Sequence, residues 1–211
     1  MSDLTLTQTR DMFIYVAQGM QASKDLLTQA DKAIGDGDHG VGMARGFAAV
    51  QQSLAGRAFA GLDELLKTIG NALMTSVGGA SGAIFATFFR GGARNLVNAQ
   101  VFDATALAAM LTDGLQAVMG RGKAQPGDKT MVDALAPAAQ RASELRHGSL
   151  AEALVGVAAA AQEGVEATKR MVARVGKAKA LGERSLGYSD PGALSLYQML
   201  KLMSEYVGGI Q

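Results

Sequence analysis

Cysteine is absent from the 211 residues, so the chain can form neither a disulfide nor a thiolate metal site. Tryptophan is also absent and aromatic residues reach only 5%, too few for a base-stacking surface. Three prolines argue against long extended linkers. Neither sign of charge is in excess: 20 basic residues face 19 acidic ones, for a net +1, which excludes a general electrostatic footprint on nucleic acid. No apolar run is long enough to span a bilayer. The opening "MSDLTLTQTRDMF" lacks the basic and then apolar pattern of an export signal. The expectation is a cytoplasmic protein with no nucleic-acid and no membrane partner.

Hydrophobic residues make up 48% of the chain, ample for a core, and nothing in the composition divides it, so one domain over 1–211 is expected. The apolar positions repeat at helical spacing. Phe13, Val16, Met20, Leu27 and Ala30 form one face; Leu62, Leu65, Leu66, Ile69 and Leu73 form a second; Leu107, Leu111, Leu115 and Val118 form a third. The longest stripe runs Leu154, Ala158, Ala161, Val165, Thr168, Val172, Val175. No segment alternates apolar and polar residues with β-branched enrichment. The pattern predicts eight helices, near 5–30, 40–54, 61–77, 82–98, 103–120, 130–145, 149–175 and 191–207, in an all-α antiparallel bundle.

Glycine is used at roughly twice the ordinary rate, and twelve of the 27 gather in four polar stretches between these helices. They are "DKAIGDGDHG" (31–40), "SVGGASGA" (76–83), "GRGKAQPGDKTM" (120–131) and "LGERSLGYSDPGA" (181–193). They follow helices one, three, five and seven, so up-and-down alternation puts all four at one end of the bundle. In the first, Asp31, Asp36 and Asp38 exceed what the nearest cation, Lys32, can neutralise, and a hard divalent ion such as Mg²⁺ would do so. The same letters also suit a turn with Asp as a helix cap. In the second, Gly78 to Gly82 leave backbone N–H groups open at a helix start, where a phosphate can sit, although small residues serve close helix packing equally well. In the third, Arg121, Lys123 and Lys129 offer charge to a nucleotide phosphate and Met131 an apolar wall to a base, unless the loop is merely solvated with Thr130 as a cap. In the fourth, Asp190 and Pro191 read as the start of a helix, and Glu183 and Arg184 as a structural ion pair.

"IGDGDHG", "SVGGASG", "RGKAQPGDKTMVDAL" and "LGERSLGYSDPGA" together resemble the motifs of the dihydroxyacetone kinase L-subunit family, in that family's order and over nearly the whole chain. The resemblance implies an eight-helix antiparallel barrel with a nucleotide site in the loops at one end. It implies that Asp31, Asp36 and Asp38 hold two Mg²⁺ ions against the phosphates of ADP or ATP. It places His39, Gly40, Val41 and Gly42 beside the nucleotide, Ala80 and Ser81 at its phosphates, and Gly122 and Met131 on the nucleoside side. Lys177 is placed nearby, and Asp190, Pro191 and Gly192 close the pocket. Two positions depart from the pattern: Gly42, where the family often has Asn, and Lys177, where it often has Arg. The implied activity is phosphoryl transfer to dihydroxyacetone bound covalently on a separate K subunit, with a phosphotransferase-system M subunit recharging resident ADP. The alternatives are a short-ketose kinase subunit using exchangeable ATP and an ADP-form module that binds a transcription regulator. Arg121, Lys123, Lys177 and Lys179 are the expected cations for partner contact or phosphate neutralisation.

Overall fold

Helices begin where the sequence supplies caps. Thr5 opens α1 (Leu6–Ala22): its hydroxyl accepts the Gln8 N–H while the Gln8 side chain accepts the Thr5 N–H. The same reciprocal box opens α7 (Met131–Leu145) through Thr130 and Asp133, and α8 (Leu150–Thr168) through Ser149 and Glu152. Asp103 caps α6 (Ala104–Gly122) by accepting the Ala106 N–H. The other helices are α2 (Lys24–Ile34), α3 (His39–Leu54), α4 (Leu62–Ser76), α5 (Gly79–Gly92) and α9 (Pro191–Gly209). This computed structural model describes residues 3–209; of the expected 1–211 domain, residues 1, 2, 210 and 211 lie outside the described residues.

The fold is all-α, as the apolar periodicity implies. Each helix from α3 to α9 packs on its sequence neighbour, α3 packs on α1, and α9 returns to α1, which closes the ring into a barrel. Its interior is one continuous apolar core that includes Met12, Phe47, Leu66, Phe88, Leu111, Leu135, Leu154 and Leu200. At one end Phe13 meets Phe89 and Phe102 edge to face, with ring centroids 5.9 and 6.4 Å apart. Phe102 belongs to a short antiparallel ladder of β1 (Asp3–Thr5) and β2 (Val101–Asp103), in which it faces Leu4. The periodicity could not reveal a strand of three residues.

Three expected helices end differently. The first, over 5–30, is bent into α1 and α2 at Ser23, whose hydroxyl donates to the Gly19 carbonyl at 2.9 Å, a back-bond that bends helices. The fourth stops at Gly92 instead of residue 98. The chain must turn back there: Asn98, at φ 59°, gives its N–H to Asp63, and the Ala99 carbonyl accepts the Leu62 N–H at the start of α4. The seventh stops at Thr168, although its apolar stripe continues to Val175. A 3₁₀ segment over Lys177–Ser185 follows, which the periodicity did not predict.

Small residues set the helix spacing. A Cβ on Gly164 of α8 would lie 2.4 Å from the Asp133 carbonyl oxygen and 2.7 Å from the Ala134 Cα of α7, so no side-chain movement can relieve it. One on Gly120 of α6 would meet nothing within 4 Å. Gly164→Ala is therefore expected to destabilise the fold by about 1–3 kcal/mol despite its better helix propensity. Gly120→Ala should stabilise by about 0.5–1 kcal/mol. Denaturant unfolding of both variants checks the pair, and equal effects would contradict the packing.

Candidate functional site

The four glycine-rich stretches meet at the end of the barrel away from the strands, around a cleft of about 810 Å³. Its first wall is the loop between α2 and α3. Asp31 sits in the last turn of α2, 9% exposed, and its Oδ2 accepts the His39 N–H at 3.1 Å. Gly35 is needed beside it, because a Cβ there would lie 2.2 Å from Asp31 Oδ1. Gly37 turns the chain at φ 80°, in the left-handed region that glycine enters freely. Asp36 and Asp38 are exposed, and one carboxylate oxygen from each of the three aspartates falls within 4.8 Å of the other two. Asp38 precedes α3, yet its side chain caps nothing, so the helix-cap alternative does not account for it. Three converging carboxylates are an all-oxygen donor set for a hard divalent cation that completes its shell with water or phosphate, and the residues fit Mg²⁺.

Lys32 is the nearest cation in sequence, but the cation on these acids in the fold is another. Lys177, 141 residues from Asp36, brings its ammonium onto the Asp36 carboxylate and within 3.7 Å of Asp38. It holds the Asp36 pKa below the ordinary carboxylate value, and Asp36 raises that of Lys177.

The opposite wall is the turn between α4 and α5. Gly78, at φ 81°, precedes α5, and the first N–H groups of that helix, through Ala80 and Ser81, lack intrahelical partners. Arg45 of α3 fixes the turn by donating to the carbonyls of Ser76 at 2.5 Å and Val77 at 2.8 Å. His39 links the two walls. Its ring is 7% exposed, with Nδ1 3.1 Å from Ser81 Oγ and Nε2 2.7 Å from Ser195 Oγ. Burial pushes its pKa down, against the opposing pull of Asp31, Asp38 and the Pro191 carbonyl.

The remaining loops are joined by Lys129. Rather than facing a phosphate, this lysine is 1% exposed and donates to the Thr168 carbonyl at 2.6 Å and to the Tyr188 carbonyl. The first bond takes up the last carbonyl of α8, and with the Gly187 N–H on the Lys169 carbonyl it ends the helix there. Thr168 also accepts the Asp190 N–H on its hydroxyl. Asp190 caps α9 by accepting the Ala193 N–H at 2.8 Å, and Gly192 lies close against Met131. Burial pushes the Asp190 carboxyl up to about 7; Asp133 adds to the rise, while Lys129 and the backbone donors oppose it.

Asp31, Asp36, Asp38, His39, Val41, Gly42, Ala80, Ser81, Gly122, Met131, Lys177, Asp190, Pro191 and Gly192 all line the cleft. Gly40 does not: it packs on α2, where a Cβ would meet the Lys24 carbonyl oxygen and Thr28 Oγ1 at 2.3 Å. Arg121 points to a lateral groove with Lys67, Arg90 and Arg94. Arg45, Lys129's carbonyl contacts, Thr168 and Ser195 escape sequence reading. Each sits inside a helix or beside a glycine turn with no motif of its own, and only the pairing of distant elements exposes it.

A family model described as "DAK2 domain" matches residues 33–205. The chain is 39% identical over 201 residues to the Escherichia coli K12 protein named PEP-dependent dihydroxyacetone kinase, ADP-binding subunit DhaL, covering 94% of this chain and 92% of that one. It is 33% identical to the Lactococcus lactis PTS-dependent counterpart, covering 97% and 99%. The solved dihydroxyacetone kinase of C. freundii in complex with AMP-PNP and Mg²⁺ superposes with a TM-score of 0.76 at 26% identity; the match covers 97% of this chain and 35% of that longer one.

The raised Asp190 pKa fixes a pH dependence. An unfolded aspartate loses its proton near pH 3.8, whereas this one keeps it to about 7. Between those values the folded chain binds more protons than the unfolded chain, so the contribution of Asp190 to stability falls as pH rises. Asp190→Asn keeps a capping oxygen and removes the charge. Its unfolding free energy relative to wild type should grow between about pH 4 and 7 and level off above. Denaturant titrations across pH check this, and a pH-independent difference would contradict it.

Proposed function

The chain belongs to the DAK2-domain family, and from that premise we propose that it is the nucleotide-binding L subunit of a dihydroxyacetone kinase, whose cleft holds ADP or ATP over the Asp31–Asp36–Asp38 cluster and serves phosphoryl transfer to dihydroxyacetone presented by a separate K subunit. The chain is thus a phosphotransferase component whose cofactors are nucleotide and Mg²⁺. The observation that carries the reading is that three convergent carboxylates and the open N-terminus of α5 line one cleft.

In this reading Asp31, Asp36 and Asp38 hold two Mg²⁺ ions. When bound, the ions neutralise phosphate oxygens and align them. The residues do the rest by position. The N–H groups of Ala80 and Ser81 meet phosphate oxygens, and His39 holds Asp31 and Ser81 at a fixed separation. Lys177, which pairs with the acidic loop and lines the cleft, offers its ammonium to the phosphates. Gly122 leaves room for the nucleoside and Met131 packs on the base. Asp190, Pro191 and Gly192 close that side. Phosphoryl transfer asks mainly for alignment and charge neutralisation, which this arrangement provides without a nucleophile of its own.

The acceptor is assigned to the partner because the polar groups of the cleft are accounted for by nucleotide and metal. We assign to the K subunit a histidine that holds the ketone covalently, and to a phosphotransferase M subunit the recharging of ADP, in keeping with the PEP- and PTS-dependent relatives. The K subunit docks at the loop end, where Val41, Leu186 and Tyr188 are exposed. Among the described residues no helix is long and apolar enough to cross a membrane.

Asp36→Asn and Asp38→Asn should abolish Mg²⁺–ADP binding in calorimetry with helicity unchanged, because neither side chain packs in the core. Mg²⁺–ADP at about a hundred times its dissociation constant should stabilise the wild type by roughly 2.7 kcal/mol, and EDTA should remove that gain. Retained affinity in both variants would overturn the metal assignment. The chain with ATP, Mg²⁺ and dihydroxyacetone should turn over only when a K subunit is added, and turnover without it would overturn the division of labour.

A further inference from the structure

Ser195 lies in the second turn of α9, 0% exposed, 156 residues from the histidine it touches. Hydroxyls on these helices commonly donate to the carbonyl four residues back, as those of Thr9, Thr68, Thr87 and Ser143 do. Ser195 does not. Among the described residues its Oγ has a single hydrogen-bond partner, His39 Nε2 at 2.7 Å. A buried O–H with one acceptor in reach must donate to it, because leaving it unmade costs the full desolvation of the group.

We infer that Ser195 is a positioning residue, and that the buried chain Ser195–His39–Ser81 directs the Ser81 hydroxyl into the nucleotide cleft. A ring nitrogen that accepts carries no proton, so donation from Ser195 to Nε2 leaves the ring proton on Nδ1. Nδ1–H then donates to Ser81 Oγ, 3.1 Å away. With its oxygen already accepting from the ring, Ser81 is free to donate its own O–H to a phosphate oxygen. The opposite tautomer has one competitor in its favour, the Pro191 carbonyl beside the ring. It would take from the Ser195 O–H the one acceptor it has among the described residues and turn the Ser81 proton back toward the ring, so that Ser81 would present only lone pairs to an anion. The position of one proton thus decides whether Ser81 attracts or repels a phosphate. Ser195 sets that position from outside the cleft.

The part of this inference that concerns phosphate rests on the proposed nucleotide site; the part that concerns the ring does not. The chain has only two histidines, so ¹⁵N spectra of the imidazoles are readily assigned by comparison with His147→Gln. In the wild type without ligand, His39 should be protonated on Nδ1 and bare on Nε2. Ser195→Ala should move the proton to Nε2 and weaken Mg²⁺–ADP binding roughly tenfold, the scale of one hydrogen bond to a charged group. In a Ser81→Ala background the same substitution should leave affinity unchanged, because the relay has lost its end point. A wild-type His39 protonated on Nε2 overturns the inference, and that spectrum decides the matter even where Ser195→Ala fails to fold. An equal loss of affinity in both backgrounds, or none in either, also overturns it. A wild type that binds no Mg²⁺–ADP instead overturns the proposed nucleotide site, and the ring spectrum still decides the relay.

Discussion

One buried ammonium holds the functional end together. Lys129 joins the start of α7 to the last carbonyl of α8 and to the loop before α9. Burial lowers its pKa, and Asp190 and Asp133 counter that tendency. Its backbone is forced to φ 61°, a cost that the two carbonyl bonds offset. Other tertiary bonds hold the chain beyond Thr168 with it: the Lys169 carbonyl accepts the Gly187 N–H, the Arg174 N–H donates to the Asp128 carbonyl, and the Ala173 N–H donates to Ser185 Oγ. Together they turn residues 169–176 off the helical course of the apolar stripe and into the 3₁₀ segment whose first residue, Lys177, reaches the acidic loop.

The walls are spaced by absences of atoms as much as by contacts. Gly35 gives up the volume that the Asp31 carboxylate fills, and Gly40 lets α3 start against α2. Gly46 is packed against Val77, where a Cβ would lie 2.2 Å from Val77 Cγ2. These approaches bring Arg45 close enough to bind two carbonyls of the α4–α5 turn. His39 can then touch an aspartate with its backbone and two serines with its ring.

The barrel and the meeting of its four loops were legible because both follow from periodicity and alternation. Bending the first rod at Ser23 does not change which end each loop occupies. The acidic cluster was legible because like charges one residue apart demand a partner. What was not legible shares one property: the energetic partner is far away in sequence. Lys177 is placed near the nucleotide by the resemblance alone, and only the fold shows it on Asp36. Lys129 reads as a loop lysine, and only its burial shows that it is structural. Ser195 lies in "ALSLYQML", where a serine among apolar residues looks incidental. The helix ends at Gly92 and Thr168 were overridden by tertiary hydrogen bonds, which outweigh local propensity.

The lining of the cleft is also divided by chemistry. Three carboxylates, a lysine ammonium and the N-terminus of α5 make its polar part, and Ile84, Val118 and Met131 give an apolar wall. The carboxyl beside Gly192 and Met131 is Asp190, and its burial raises its pKa to about 7, so it bears less charge there than an ordinary aspartate would. A ligand with charge at one end and a flat apolar body at the other can enter this cleft in one orientation without leaving a charge against the apolar wall. Orientation thus follows from where burial suppresses charge, not from a dedicated contact to each end of the ligand. The groups that suppress it, Lys129 and the α9 cap, are the same ones that close the barrel's loops.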